Sequence, residues 1–520
     1  MMIKTKWDFS IFKRKNFKTQ RKIILRKIEN FYNQWSKRDL KKPKNLFKFL
    51  KDCERFIYKT PTIFAEEYTY YFLKTLLDTK NKKYKIKLNE IEELKEKAYK
   101  KIFSLLGFLK NCKEKNKILN SPQIKNYKNF LETFLVEPLQ PFKNGKFATL
   151  RSKIDEEIKK TNWKIYEDKN LQDRILKKYS GLMEKALNEI LKVYLEKERK
   201  EGLSFTYYDK FLAKGFDPKI IKIIKEVFLE NKENLKKELK KYELSKEEKD
   251  VLFSLKIPLK KGIYLAIEIF NKIDKSLGKF VLESFQKGLV DVYPRKNKYL
   301  LPRVVSGSPL LPTFILLNYK NTLKDFLSLI HEFSHAFHNE FLKKYNSPFN
   351  SNQSSIVKET VAAIFILFAL EVLKEKHNNL IEKYMHSDFI KTTLNDLVIF
   401  SIQEEIYKIY KTRGEINIKE INKIYKKNIL IFFGKTKARE ISNYRWILNF
   451  YRGLAFWHFP YFIGGILSRI FIKEYYKNKK EFKKKLFKFL RAGANKTFEE
   501  ILKKIGYDVY KKDFWGRCLT

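Results

Sequence analysis

Apolar residues recur at three- and four-residue spacing along most of this chain, as in IEELKEKAYKKIFSLLGFL (residues 91–109), and that period belongs to helices packed by one face. Residues 1 to about 200 read as helix after helix, with few prolines or glycines to interrupt them, and form a helical N-terminal lobe or lid region. A second region, 201–520, continues helical to about Leu289. Then the texture changes. VDVYPRKNKYLLPRVVSGSPLLPTFILLNY (residues 290–319) holds four prolines among β-branched and aromatic runs, which predicts turns and short strands. Phe314–Tyr319 is the best strand candidate, and helices resume from Leu323. A chain of 520 residues with 44% hydrophobic content has ample material for more than one core. The expected class is mostly α, with a small β-sheet.

Composition excludes little on its own. The formal charge of +51 would suit nucleic acid or acidic partners. Lysine far outnumbers arginine, though, and Asn, Ile, Phe and Tyr are all abundant, so the charge reads as a compositional bias. No specific nucleic-acid partner is expected, and a basic nucleic-acid-binding protein stands only as a rival reading. Three cysteines far apart in sequence make no disulfide framework and fit a reducing cytoplasm. The N-terminus shows no apolar signal segment, and the apolar runs at Val361–Leu370 and Gly453–Leu467 are too short or too interrupted to span a bilayer. A soluble, cytoplasmic protein with no membrane partner is expected.

The chemistry concentrates in FLSLIHEFSHAFHNEFL (residues 326–342). The chain has six histidines, and three of them lie within these residues. His331-Glu332-Phe333-Ser334-His335 is H-E-x-x-H on a predicted helix. At about 100° per residue, His331 and His335 fall within roughly 40° of each other, one turn apart. Two imidazoles on one face can share a tetrahedral zinc ion. Glu332, about 100° around, flanks the ion where a general base for water belongs. Phe326, Leu329, Ile330, Phe333, Phe337 and Phe341 form the apolar stripe that anchors the helix. Zinc sites of this kind need a third protein ligand. Glu359 opens a run of ten apolar residues, Val361–Leu370, in a helix that must be buried. Its position alone fits either a metal ligand or an acid favoured by a helix start.

Three stretches resemble the oligoendopeptidase F family, within the thimet-type oligopeptidases. Phe314–His338 resembles that family's strand, its T-L-x-D helix start and its H-E-[FL]-G-H-x-x-H motif. Lys358–Ala362 resembles its acidic-ligand segment, whose acid, Glu359 here, stands 28 residues after His331. Phe456–Phe471 and Phe489–Trp515 resemble its F-Y-x-Y-P-Y-x-F-G segment and its closing A-G…F-W segment. The match covers residues 289 to the end. It implies a two-lobed helical metallopeptidase with a deep substrate channel, acting on short peptides. It implies one zinc ion per chain on His331, His335 and Glu359, with Glu332 as base and His338 in a supporting role. Departures are Ser334 for glycine, Ala362 for a small hydroxyl residue, Asn449 for a histidine near the substrate, and Trp457 and Phe459 for two tyrosines. His458 stands where a polar residue lies between those tyrosines, and Tyr461 is the retained tyrosine, expected to steady the oxyanion. The departures leave a second reading, a relative that binds metal without turnover. Cleavage preference and oligomeric state are not written in the sequence.

Overall fold

Helices account for nearly all the regular structure of the computed structural model, and one three-stranded sheet accounts for the rest. The structure describes residues 3–12, 16–59, 64–135, 146–161, 164–166, 168–201, 216–217, 219–375, 378–450 and 459–519. The chain forms two compact units, each assembled from three stretches. The first comprises Met1–Val136, Ser245–Ile381 and Phe471–Gly506. The second comprises Glu137–Leu244, Glu382–Ile470 and Tyr507–Thr520. A single cut at residue 200 does not separate them, because the chain alternates between the two. Helical periodicity is local and carries no record of that alternation.

In the first unit, N-terminal helices bury Ile24, Trp35, Phe49, Ile91 and Leu109 in one core. Two of these helices matter below: α1 (Ala65–Leu77) and α2 (Lys82–Ser104). Next come α3 (Leu259–Asn271) and α4 (Lys275–Gln286), which approach closely where Gly278 meets Asn271. A Cβ at Gly278 would stand 2.2 Å from the Asn271 side-chain oxygen, so only glycine permits that packing.

The sheet consists of β1 (Val290–Asp291), β2 (Arg303–Val305) and β3 (Phe314–Leu316), ordered β1-β3-β2. β1 runs parallel to β3 and β2 antiparallel to it. The expected strand at 314–319 is thus present, with Leu317 and Tyr319 continuing its hydrogen bonds to Asp291 and Val292. Its place in the sheet bears on function. β3 is the central strand, paired on both sides, and cannot also pair a peptide. Strand order depends on contacts far apart in sequence, which β propensity does not encode. Backbone from Thr5 bonds Val292 beside β1, so β2 holds the open edge of the sheet. On one face, Phe314, Leu316 and Val305 pack with Trp7, Phe12, Leu73 and Leu76, and the Trp7 indole donates to the Ile315 carbonyl at 2.9 Å.

The second unit is built on long helices, Lys169–Glu201, α7 (Asn378–Arg413) and α8 (Ile418–Glu440). Glu198 accepts from both the Tyr407 hydroxyl and Lys411, and Asn188 exchanges two hydrogen bonds with the Ile416 backbone at 2.9 and 3.0 Å. Among the described residues, no helix is long and apolar enough to cross a membrane.

Candidate metal centre

Two helices of the first unit carry the cluster. The helix α5 (Leu323–Tyr345) begins with a capping box, in which the Asp325 amide donates to the Thr322 hydroxyl and the Asp325 carboxylate accepts from the Thr322 amide. This is the physical content of the T-L-x-D start: two otherwise orphaned donors are satisfied and the helix register is set. Five of the six stripe residues, all but half-buried Phe341, are buried. Ser334 is buried and donates to the Ile330 carbonyl at 2.7 Å, so the hydroxyl that replaces glycine is satisfied within its own helix.

The second helix, α6 (Ser355–Lys374), buries seven of the ten residues in its apolar run. Phe365 stacks on Phe270 of α3 at 4.4 Å and meets Phe337 of α5 edge-on at 5.2 Å, which fixes α6 against both neighbours. The turn between α5 and α6 is held by the closing A-G segment. Gln353 donates to the Ala492 and Gly493 carbonyls at 2.9 and 3.0 Å, and the Ala494 amide donates to the Asn350 carbonyl at 2.9 Å. A Cβ at Gly493 would lie 2.2 Å from the Asn346 side-chain oxygen, which explains the glycine.

These supports bring three side chains to one point. The Nε2 atoms of His331 and His335 stand 2.9 Å apart. Glu359 Oε2 lies 3.5 Å from His331 Nε2, and Oε1 lies 3.6 Å from His335 Nε2. Among the described residues, Glu359 Oε2 is buried without a hydrogen bond, and so is His335 Nδ1. Burial, and then the neighbouring His335, push the His331 ring down to about 4, so it is neutral with a lone pair to offer. Ligands placed tetrahedrally at about 2.0–2.1 Å from a zinc ion lie roughly 3.3 Å from one another. The observed spacings bracket that value, and the orphaned carboxylate oxygen marks an unmet charge. The residues therefore fit a metal ion.

Glu332 projects from α5 beside this cluster and is only 7% exposed. Burial pushes its carboxyl up to about 7; His335 and Arg303 pull it down, and Glu359 pushes it further up. A carboxyl poised there can both take and give a proton near neutral pH. His338 is fully buried two turns from His331, and burial pushes its ring down to about 3. Neither of its ring nitrogens makes a full hydrogen bond among the described residues, and its ring lies near the Leu490 backbone.

The remaining expected residues fall elsewhere. Asn449 is half-buried in the helix Trp446–Phe450, and Tyr461 is 44% exposed in the helix Phe459–Lys477. Both belong to the second unit. Trp457 and His458 lie outside the described residues. Arg303, which sequence reasoning did not single out, sits on β2 with its charge felt at Glu332. An isolated arginine in a proline-rich loop region carries no motif that would have marked it.

No family model matches the chain. An oligoendopeptidase F homolog of Mycoplasma genitalium is 24% identical over 271 residues, covering 48% of this chain and 44% of the relative. An oligoendopeptidase F homolog of Borreliella burgdorferi is 24% identical over 480 residues, covering 85% of this chain and 79% of the relative. The chain spans about half the length of the first curated relatives it matches. In fold, a crystal structure of a Chlamydophila abortus protein superposes with a TM-score of 0.75 at 14% identity, covering 100% of this chain and 98% of the other.

Proposed function

We propose that this chain, which belongs to the oligoendopeptidase F family, is a zinc-dependent peptidase that hydrolyses peptide bonds in short oligopeptides. The observation that carries this reading is the convergence of His331, His335 and Glu359 beside a buried Glu332. Two imidazoles and one carboxylate with an open fourth position suit zinc. When bound, the ion would polarise the scissile carbonyl and make water acidic enough to attack near neutral pH.

The chain's own residues supply the rest. Glu332 takes the proton of the attacking water on a carboxylate oxygen and passes it to the leaving nitrogen. Its raised proton affinity suits both steps. His331 and His335 would turn their Nε2 atoms toward the ion, and buried His338 would support α5. For the second unit we assign Tyr461 as the phenol that donates to the developing oxyanion, with Asn449 and His458 as contacts to substrate. An amide at Asn449 can donate a hydrogen bond but cannot carry charge. Substrate backbone would align along the open edge of β2, since β3 is paired on both sides.

The test is hydrolysis of a library of short quenched peptides by the purified chain. Three samples run side by side: native, chelator-treated and Glu332→Gln. Cleavage that the chelator abolishes, zinc restores and Glu332→Gln lacks is the expected result. Cleavage that survives both treatments would sink the assignment.

A further inference from the structure

A groove of about 810 Å³ opens on the N-terminal helices of the first unit, away from the metal cluster's own residues. Its floor is aromatic: Tyr68 from α1, and Tyr99 and Phe103 from α2, the last two stacked at 5.9 Å and 8°. Three lysines and two glutamates line the rim, Lys95, Lys100 and Lys110 against Glu92 and Glu96. Lys100 pairs with Glu96 at 2.8 Å, and Lys95 sits over the Tyr68 ring at 4.6 Å. An apolar side chain entering the groove would find rings on several sides.

The groove floor touches the sheet through ring contacts. Tyr68 stacks on Phe72 at 5.7 Å, and Arg303 of β2 lies 5.3 Å from the Phe72 ring. The loop after β2 also presses on α1, where a Cβ at Gly307 would stand 1.9 Å from the Thr69 hydroxyl. Among the described residues, the edge strand β2 and the aromatic floor are therefore neighbours within one compact unit.

We propose that this groove is a remote subsite that takes an aromatic or large aliphatic side chain of a peptide lying along β2. The proposal rests on the peptidase reading and adds a selectivity to it. Two ring contacts of 5 to 6 Å separate Arg303 from the floor. At about 3.3 Å per extended residue, the anchoring side chain sits roughly three residues beyond the one beside Arg303.

The experiment measures peptide binding by fluorescence anisotropy on the full-length Glu332→Gln chain with zinc present, so that bound peptide is not consumed. Serine-rich decapeptides would differ only in carrying Trp or Ser three to five residues from the centre, on either side. The Trp peptide should bind roughly ten-fold tighter or more, the value of burying one such side chain. Tyr99→Ser should bring the ratio close to one. So should Ser104→Trp, which fills the groove from an exposed rim position and leaves the core untouched. Equal binding of the two peptides to the parent chain, or a preference that both replacements leave intact, overturns the groove alone. Failure of both peptides to bind at all overturns the peptidase reading with it.

Discussion

Across one turn of α5, His331 and His335 present their Nε2 atoms to each other at 2.9 Å, and a Glu359 oxygen lies within 3.6 Å of each. Among the described residues, one Glu359 oxygen is left without a hydrogen bond. An ion that binds only the folded chain will stabilise it. At a zinc concentration 100-fold above the dissociation constant the gain is about 2.7 kcal/mol. Thermal melts of chelator-treated protein should rise on adding zinc, and Glu359→Ala should abolish the rise. Superimposable melts with and without zinc would rule the site out.

Glu332→Gln keeps the shape of the side chain and removes its ability to take a proton. Bound zinc should stay at one per chain, measured by metal analysis, while peptide turnover falls by roughly 100- to 10,000-fold. Loss of zinc together with turnover would mean that Glu332 supports the ion and is not the base.

Asp396 on α7 is a buried carboxyl with one oxygen lacking any hydrogen-bond partner, and burial pushes it well above the ordinary carboxylate range. The folded chain keeps this proton to a higher pH than the unfolded chain does. Stability from this group is therefore present at low pH and lost as pH rises above about 4. Asp396→Asn removes that loss. Its melting temperature should exceed the parent's by on the order of a few degrees at pH 8, with the difference shrinking toward pH 4. A difference that grows on acidification would show that Asp396 is ionised and paired in the folded chain.

Gly493→Ala would drive a methyl group against Asn346 and the Asn350 carbonyl, beside the turn that joins the two ligand-bearing helices. Overpacking of this kind costs about 1–3 kcal/mol, read as a lowered denaturant midpoint. Gly107→Ala is the control, since a Cβ there meets nothing within 4 Å, and its midpoint should hold or rise slightly.

What the sequence made legible follows the range of the interactions involved. The H-E-x-x-H helix was readable because its two histidines and its apolar stripe are set by local helical geometry. Its capping box at Thr322 and Asp325 is equally local. Glu359 comes from a different helix, and its own position left two readings open; only resemblance favoured a ligand, and the short distances to His331 and His335 are a fact of tertiary packing. The strand at Phe314 was visible as a short apolar run, but its central place depends on partners 9 to 25 residues away. The aromatic floor at Tyr68, Tyr99 and Phe103 looked like ordinary core spacing, since a helix face that lines a groove carries the same period as one that lines a core.

The metal cluster and Glu332 draw only on α5 and α6 of one compact unit, whereas Asn449 and Tyr461 belong to the other. A replacement at Asn449 or Tyr461 therefore alters no side chain of the cluster and neither of the helices that present it, so the two sets can be varied one at a time.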